Sequence, residues 1–182
     1  DPAVKEKMLS EKPARMAKDG SSIPPLADEV LARIDQAAMI MFPFDSGKGP
    51  NYEPEFSDSF GFKAMNAGVP VLSMLYDYLC EGDGTNLIYF PIMNYMTGSL
   101  ETVHRMLTHP RALASLGDAG AHVGTVCDAS WCTTFLGYWT KERTRGERIP
   151  LERVIEMLTS RNARHMGLLD RGEIAAGKRA DI

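Results

Sequence analysis

Apolar residues recur at helical spacing along much of the chain. Asp1 and Pro2 open a first helix as an N-cap acid followed by proline, and this helix should end before Pro13. Further helices are predicted over 26–36, from Pro70, from Ser99, from Ser130 to about residue 143, and over 151–158. The positions expected to face the core are Leu26, Val30, Leu31 and Ile34; Val71, Leu72, Leu75 and Leu79; Leu100, Val103, Met106 and Leu107; and Leu151, Val154, Ile155 and Leu158.

Three short apolar runs, 39–44, 87–90 and 112–116, have the character of strands. Because strands and helices alternate along the chain, the pattern predicts parallel strands joined by crossover helices. Gly167 has the position of a glycine that ends a helix. The stretch 170–182 differs from the rest, since glycine turns at Gly172 and Gly177 are expected between short strand-like pieces.

Composition and charge narrow the functional classes. The chain has 182 residues, 44% hydrophobic and 24% charged, which suits one sizeable globular core. A net charge of −4 offers no basic surface, so no nucleic-acid partner is expected. The longest apolar runs fall well short of the ~20 residues that cross a membrane, so no membrane association is expected either.

The three cysteines indicate a reducing compartment. Cys80, Cys127 and Cys132 are odd in number and form no CxxC pair, which is typical of free thiols. No charged and then apolar leader precedes the first helix, so we expect a cytoplasmic protein. The chain begins without Met at a helix start and stops in a strand-like stretch, and we therefore expect it to be a piece of a longer protein.

A carboxylate follows the third strand-like run. The run 112–116 ends at Gly117, Asp118 follows at once, and 119–122 is a loop of small residues that ends at His122. Barrels of the α/β class present catalytic residues in this way, at the carboxyl end of a strand. An aspartate that only caps a turn has the same local pattern. The pattern alone therefore leaves both interpretations open.

A second candidate region is the polar loop 45–54, which is rich in glycine and proline. Its GKG lacks the spacing of a phosphate-binding loop and is a weak signal. The loop is either a plain connection or a substrate-facing segment with Asn51, Tyr52 and Glu53 at its tip.

Other polar side chains are expected to lie in solvent. His104 and His109 lie on or after a predicted helix, where solvent or the helix C-terminus suits both. Arg143, Arg145 and Arg148 lie on or after another helix, where solvent-facing charge is the default. A bidentate arginine would also suit a carboxylate ligand, and the sequence does not choose among the three.

Several motifs resemble one enzyme family. GDAGAH at 117–122, CDAS at 127–130 and the later LERVIEMLTSRNARHMGL resemble the C-terminal part of the amidohydrolase superfamily, in particular the N-acyl-D-amino-acid deacylase (D-aminoacylase) group. NYEP at 51–54 and HPRALASLGDAGAH also match that group. DRGEIAAGKRADI resembles the segment in which such enzymes leave the barrel for a small β-sandwich domain.

The resemblance implies an α/β fold, the C-terminal part of a (β/α)8 (TIM) barrel of the metal-dependent hydrolase type. Residues 1–168 would run from after strand 6 through strand 8 and its helices, and 169–182 would begin the β-sandwich segment. The runs 87–90 and 112–116 would be strands 7 and 8, and 39–44 would belong to an excursion before strand 7.

The resemblance also implies a site. The family's last metal-site residue is an aspartate at the end of strand 8, which corresponds to Asp118. This aspartate lies beside one or two zinc ions and accepts a proton from the water that zinc activates. Candidate substrate-binding residues are His122, Tyr52, Asn51 and Asp128, and for His122 a simple loop role stays open beside this one. Cys127 is expected to be a small buried thiol.

The implied activity is hydrolysis of N-acyl-D-amino acids, small linear amides, to a carboxylic acid and a D-amino acid. The chain has four histidines and none in the HxH pair of the family's strand 1, so most zinc ligands are expected upstream. The chain alone is therefore expected to be inactive and to self-associate. Alternatives are a dihydropyrimidinase-like or dipeptidase-like amidohydrolase, or a non-catalytic half-barrel that serves as an interaction domain.

Overall fold

The structure is a computed structural model that describes residues 1–12, 25–45, 49–91, 94–115 and 128–181, without the side chains of 25–27, 29 and 128. The chain divides into two compact units, Asp1–Leu100 and Glu101–Ile182. None of the helices in the described ranges is long and apolar enough to cross a membrane.

The first unit is mainly helical. Asp1 caps its first helix, where the carboxylate accepts a hydrogen bond from the amide of Ala3 at 2.9 Å, as the sequence predicts. The helix predicted over 26–36 is instead divided at Arg33. The helices are α1 (Pro2–Ser10), α2 (Pro25–Ala32), α3 (Ile34–Ala38), α4 (Phe60–Ala67) and α5 (Val71–Cys80), with a short 3₁₀ turn over Phe56–Asp58.

Two short strands, β1 (Phe42–Pro43) and β2 (Ile88–Tyr89), pair in antiparallel fashion in the first unit. The strand character of 39–44 and 87–90 is thus confirmed over two residues each, but the expected parallel pairing is not what these strands show. Two helices, α4 and α5, lie between them, whereas a parallel crossover usually contains one. The second helix returns the chain, so β2 runs against β1.

A small apolar cluster forms the core of the first unit. It consists of Ala38, Met41, Phe60 and Leu75, with Val71 and Leu72 of α5 packed partly buried against it. The expectation that Leu79 is buried is wrong, because the last turn of α5 runs out into solvent, where Cys80 is exposed too.

The second unit contains the helices predicted from Ser99, from Ser130 and over 151–158. Gly167 follows the last helix with a φ of +74°, as expected of a helix-ending glycine. The elements are α6 (Glu101–Thr108), a 3₁₀ turn (Asp128–Ser130), α7 (Trp131–Gly137), which continues as a π-helix over Tyr138–Glu142, α8 (Leu151–Leu158) and α9 (Ser160–His165).

The buried faces of α6 and α8 differ from those predicted. Met106, Leu151 and Ile155 are exposed, whereas Val154 and Met157 are the fully buried positions of α8. The contact face of α8 is therefore rotated by about one position around the helix. The spacing of apolar residues over 151–158 therefore fixes the buried face only to within about one position.

Two expected strands are not found where the structure describes the chain. Residues 112–115 have no regular secondary structure, and Leu116 lies outside the described residues. Residues 170–181 form turns, with Gly172 and Gly177 at φ of +83° and +82°. Asn162 bonds to the carbonyl of Ala114 in the first segment. In the second, a main-chain bond joins the amide of Arg179 to the carbonyl of Asp170 at 2.7 Å. The assignment of 1–168 to a barrel and of 169–182 to a β-sandwich stays a prediction.

Candidate functional site

The residues predicted to carry the chemistry lie mostly beyond the described part. Asp118, His122 and Cys127 lie outside the described residues. Asp128 begins the 3₁₀ turn before α7, and its backbone alone is described. The roles assigned to these residues stay predictions.

The 51–54 segment lies in the first unit and is more enclosed than a loop tip. Tyr52 is half-buried, with its ring centre 5.8 Å from that of Phe44 and 6.0 Å from that of Tyr89. The Asn51 side-chain oxygen accepts a hydrogen bond from the amide of Glu53 at 3.1 Å. Glu53 itself is only 4% exposed. The substrate-facing role of this loop stays a prediction.

A long-range contact accounts for the burial of Glu53. Its Oε1 accepts a hydrogen bond from the amide of Leu100 at 2.9 Å. Beside it, the hydroxyl of Tyr95 donates to the carbonyl of Pro54 at 2.7 Å. The glycine and proline content of 45–54 indicates a loop correctly, but it says nothing about partners more than forty residues away.

Tyr89 is held in its neutral form at the same place. Burial is the largest cause, and the neighbouring Tyr95, Tyr52 and Glu53 add to it; together they raise the pKa of Tyr89 to about 12. Its hydroxyl donates to the carbonyl of Tyr52 at 3.3 Å. Tyr89 therefore serves as a hydrogen-bond donor that joins β2 to the 51–54 segment and is unsuited to act as a base near neutral pH.

Two side chains expected in solvent are buried in the second unit. His104 is 7% exposed and Arg143 is 1% exposed. Both lie against Trp139, whose ring centre is 6.0 Å from that of His104 and 5.0 Å from the guanidinium carbon of Arg143. A guanidinium group tolerates this burial because its flat face stacks on an aromatic ring while its edge donates hydrogen bonds.

The edge of Arg143 is bonded within the same unit. Its Nη1 donates to the carbonyl of Glu147 at 2.6 Å, and its Nη2 lies 3.4 Å from Oε2 of Glu101. Gly146, at a φ of +115°, leaves space for the guanidinium, since a Cβ there would lie 2.6 Å from Nη2. Arg148 is exposed as expected.

Sequence reasoning missed two residues of α9, Arg161 and Asn162. The Nδ2 of Asn162 donates to the carbonyl of Ala114 at 2.8 Å, and Nη2 of Arg161 donates to the carbonyls of His109 and Pro110. These carbonyls belong to the segment that leads into GDAGAH. A side-chain bond to main chain about fifty residues away leaves no periodic signal in the sequence.

The described residues do not make a complete metal site. Within 1–12, 25–45, 49–91, 94–115 and 128–181, no group of three or more His, Cys, Asp or Glu side chains could hold a metal ion together. Asp118 and His122 lie outside these ranges.

The family is shown by the second half of the chain. Residues 87–182, slightly more than half of the sequence, match the profile described as "Amidohydrolase family". The chain therefore belongs to the amidohydrolase family, which indicates a hydrolase, a TIM-barrel-type fold and, as is typical of the family, dependence on a metal. No curated protein and no solved structure shows significant similarity to the chain.

Proposed function

We propose that the chain belongs to a zinc-dependent hydrolase of linear amide bonds that converts N-acyl-D-amino acids to a carboxylic acid and a D-amino acid. The observation that carries this proposal is the family match over 87–182, which contains the motif GDAGAH. The D-aminoacylase resemblance of GDAGAH, CDAS and NYEP supplies the substrate class. The free, exposed thiols of Cys80 and Cys132 agree with action in the cytoplasm.

Asp118 is the residue to which we assign the proton transfer. A carboxylate within hydrogen-bond reach of the attacking water accepts its proton and then passes it to the leaving amine. Zinc, when bound, supplies Lewis acidity that polarises the scissile carbonyl and lowers the pKa of water to about 7. Because none of the four histidines forms an HxH pair, we assign most zinc ligands to residues upstream of this chain.

The test of this role is Asp118→Asn in the complete protein. The amide is nearly isosteric but cannot accept the proton, so kcat should fall ~10²–10⁴-fold. Bound zinc and melting temperature, measured on the same preparation, should stay close to wild type. Asp58→Asn, an exposed acid at the end of a 3₁₀ turn, is the matched control and should leave kcat unchanged.

The opposite result has a definite meaning. If Asp118 only caps a turn, its replacement lowers the melting temperature by the equivalent of about 1 kcal/mol and leaves turnover per folded molecule unchanged. That pattern would remove Asp118 from the mechanism.

Substrate class is tested separately. Wild-type protein should hydrolyse N-acyl-D-amino acids faster than their L-enantiomers. Faster hydrolysis of a dihydropyrimidine or a dipeptide would favour the other amidohydrolase activities. A third outcome is an upstream sequence that lacks both the HxH pair and the two later strand-end histidines of the family. That absence, together with no hydrolysis of any of these amides, would favour a non-catalytic half-barrel.

A further inference from the structure

Residues 109–115 lead into GDAGAH without regular secondary structure. A turn at their start is closed by two hydrogen bonds, from the amide of Ala112 to the carbonyl of His109 at 3.0 Å and from the amide of Arg111 to Nδ1 of His109 at 3.1 Å. No strand pairs with 112–115 among the described residues. The carbonyls of this segment are bonded instead by side chains of α9.

Asn162 and Arg161 are adjacent on α9 and bind carbonyls at the two ends of this segment. Asn162 donates to the carbonyl of Ala114, which is itself buried, at 2.8 Å. Arg161 donates through Nη2 to the carbonyls of His109 and Pro110. Two neighbouring side chains of one helix thus fix both ends of a segment that, among the described residues, has no strand-to-strand hydrogen bonds.

The same side chains each leave one buried polar atom unsatisfied. Within the part of the chain that the structure describes, Oδ1 of Asn162 and Nη1 of Arg161 are buried and have no hydrogen-bond partner. An unpaired buried polar atom costs about as much stability as a typical hydrogen bond contributes. The polar groups of these residues therefore add little net stability, and their main effect is to fix where the carbonyls lie.

We propose that Asn162 and Arg161 are positioning residues of the hydrolase. They hold 109–114 so that the chain enters GDAGAH from a fixed point, and the proposal rests on the role assigned above to Asp118. Only three residues separate Ala114 from Asp118 in the chain. A displacement of Ala114 is therefore expected to displace Asp118 as well. A displacement of about 1 Å in a reacting group can reduce the rate ~10²-fold.

The contact itself is tested by amide hydrogen exchange of the chain carrying Asn162→Asp. The carboxylate has the same shape but cannot donate to the carbonyl of Ala114. Exchange at residues 111–115 should accelerate roughly fivefold, as for loss of one hydrogen bond. Arg164→Gln, an exposed position on the same helix, is the control and should leave this exchange unchanged. Unchanged exchange in Asn162→Asp overturns the proposal.

The positioning role is tested by kinetics of the complete protein. Asn162→Asp and Arg161→Met should each lower kcat by ~10–100-fold with a much smaller change in KM, because the reacting geometry is disturbed and substrate binding is not. The two variants guard against one that fails to fold. A lower melting temperature with normal kcat per folded molecule would show a structural role and overturn the proposal.

Failure of the proposed function gives a different pattern. If Asp118→Asn keeps full kcat, the role of Asp118 is wrong, and with it the reason for positioning. If Asp118→Asn is slow while Asn162→Asp and Arg161→Met are normal, only the positioning role is wrong.

Discussion

Replacement of the buried Arg143 by methionine should destabilise the second unit. Methionine keeps most of the volume and removes the charge together with its donors. The change breaks the bond to the carbonyl of Glu147 and the contact with the ring of Trp139, and it removes the cation beside Glu101.

The cost follows from these contacts. A hydrogen bond from a charged donor contributes about 1.5–3 kcal/mol. A desolvated cation–π contact contributes about 1–2 kcal/mol. The ion pair adds less than about 1 kcal/mol, because the side chain of Glu101 is 51% exposed and its charge is well hydrated. Part of the sum is returned, since a guanidinium no longer has to be desolvated. We expect a net loss of about 2–4 kcal/mol in the free energy of unfolding.

Tryptophan fluorescence makes this measurement specific to the second unit. The chain has two tryptophans, Trp131 and Trp139, and both lie in that unit. Denaturant unfolding followed by this signal reports the unfolding of the second unit. Arg105→Met, at an exposed position of α6, is the control and should stay within about 0.5 kcal/mol of wild type. If Arg143→Met unfolds within the same limit, the buried contacts of Arg143 contribute no net stability and the reasoning is wrong.

Three further predictions concern other parts of the chain. Gly172→Ala should cost about 2–4 kcal/mol, because the residue has a positive φ and its new Cβ would lie 2.7 Å from Cα of Ser160. Gly177→Ala has the same φ without that clash and should cost only about 1–2 kcal/mol, so equal losses in denaturant unfolding would contradict the clash. Tyr89→Phe should remove a tyrosine that ionises near pH 12, because burial raises its pKa to about 12. In wild type the stability due to neutral Tyr89 is complete below the unfolded pKa of about 10 and is lost as pH rises towards 12. Tyrosinate absorbance, titrated at alkaline pH in both proteins, should show that the variant lacks the tyrosine that ionises near pH 12. If the variant instead lacks a tyrosine that ionises at about pH 10, the prediction is wrong. The 182-residue chain alone should bind no stoichiometric zinc and hydrolyse no N-acyl amino acid. Its candidate ligands, Asp118 and His122, fall short of the three protein ligands of a catalytic zinc. Stoichiometric zinc found by metal analysis, together with turnover, would refute the upstream placement of the other ligands.

Local signals in the sequence predict where helices begin and end. Asp1 before Pro2 and Gly167 after α9 act as expected because a cap depends on a few neighbouring residues. The side of a helix that faces the core is harder to predict. Met106 and His104 exchange their expected places because His104 packs against an aromatic residue, Trp139, that lies 35 residues further along the chain.

Burial of a charge is also outside the reach of local pattern. Arg143 follows a helix end like many solvent-facing arginines, and only the folded chain brings it against a ring, a carbonyl and a glycine without a side chain. The candidate site shows the same limit. The motif around Asp118 is recognisable in the sequence, whereas the bonds from Asn162 and Arg161 to the preceding segment depend on how α9 lies.

The π-helix that continues α7 determines what would happen if the loop after it were cut. The carbonyls of its first two residues bond to the loop that follows: Tyr138 accepts from the amide of Arg143, and Trp139 accepts from the amide of Ile149, each at 2.9 Å. Both ends of the loop 143–149 are therefore tied to consecutive residues of one helix turn. A protease that cuts at the exposed Arg148 would leave both sides of the nick attached, and the two pieces would stay together until the unit is denatured.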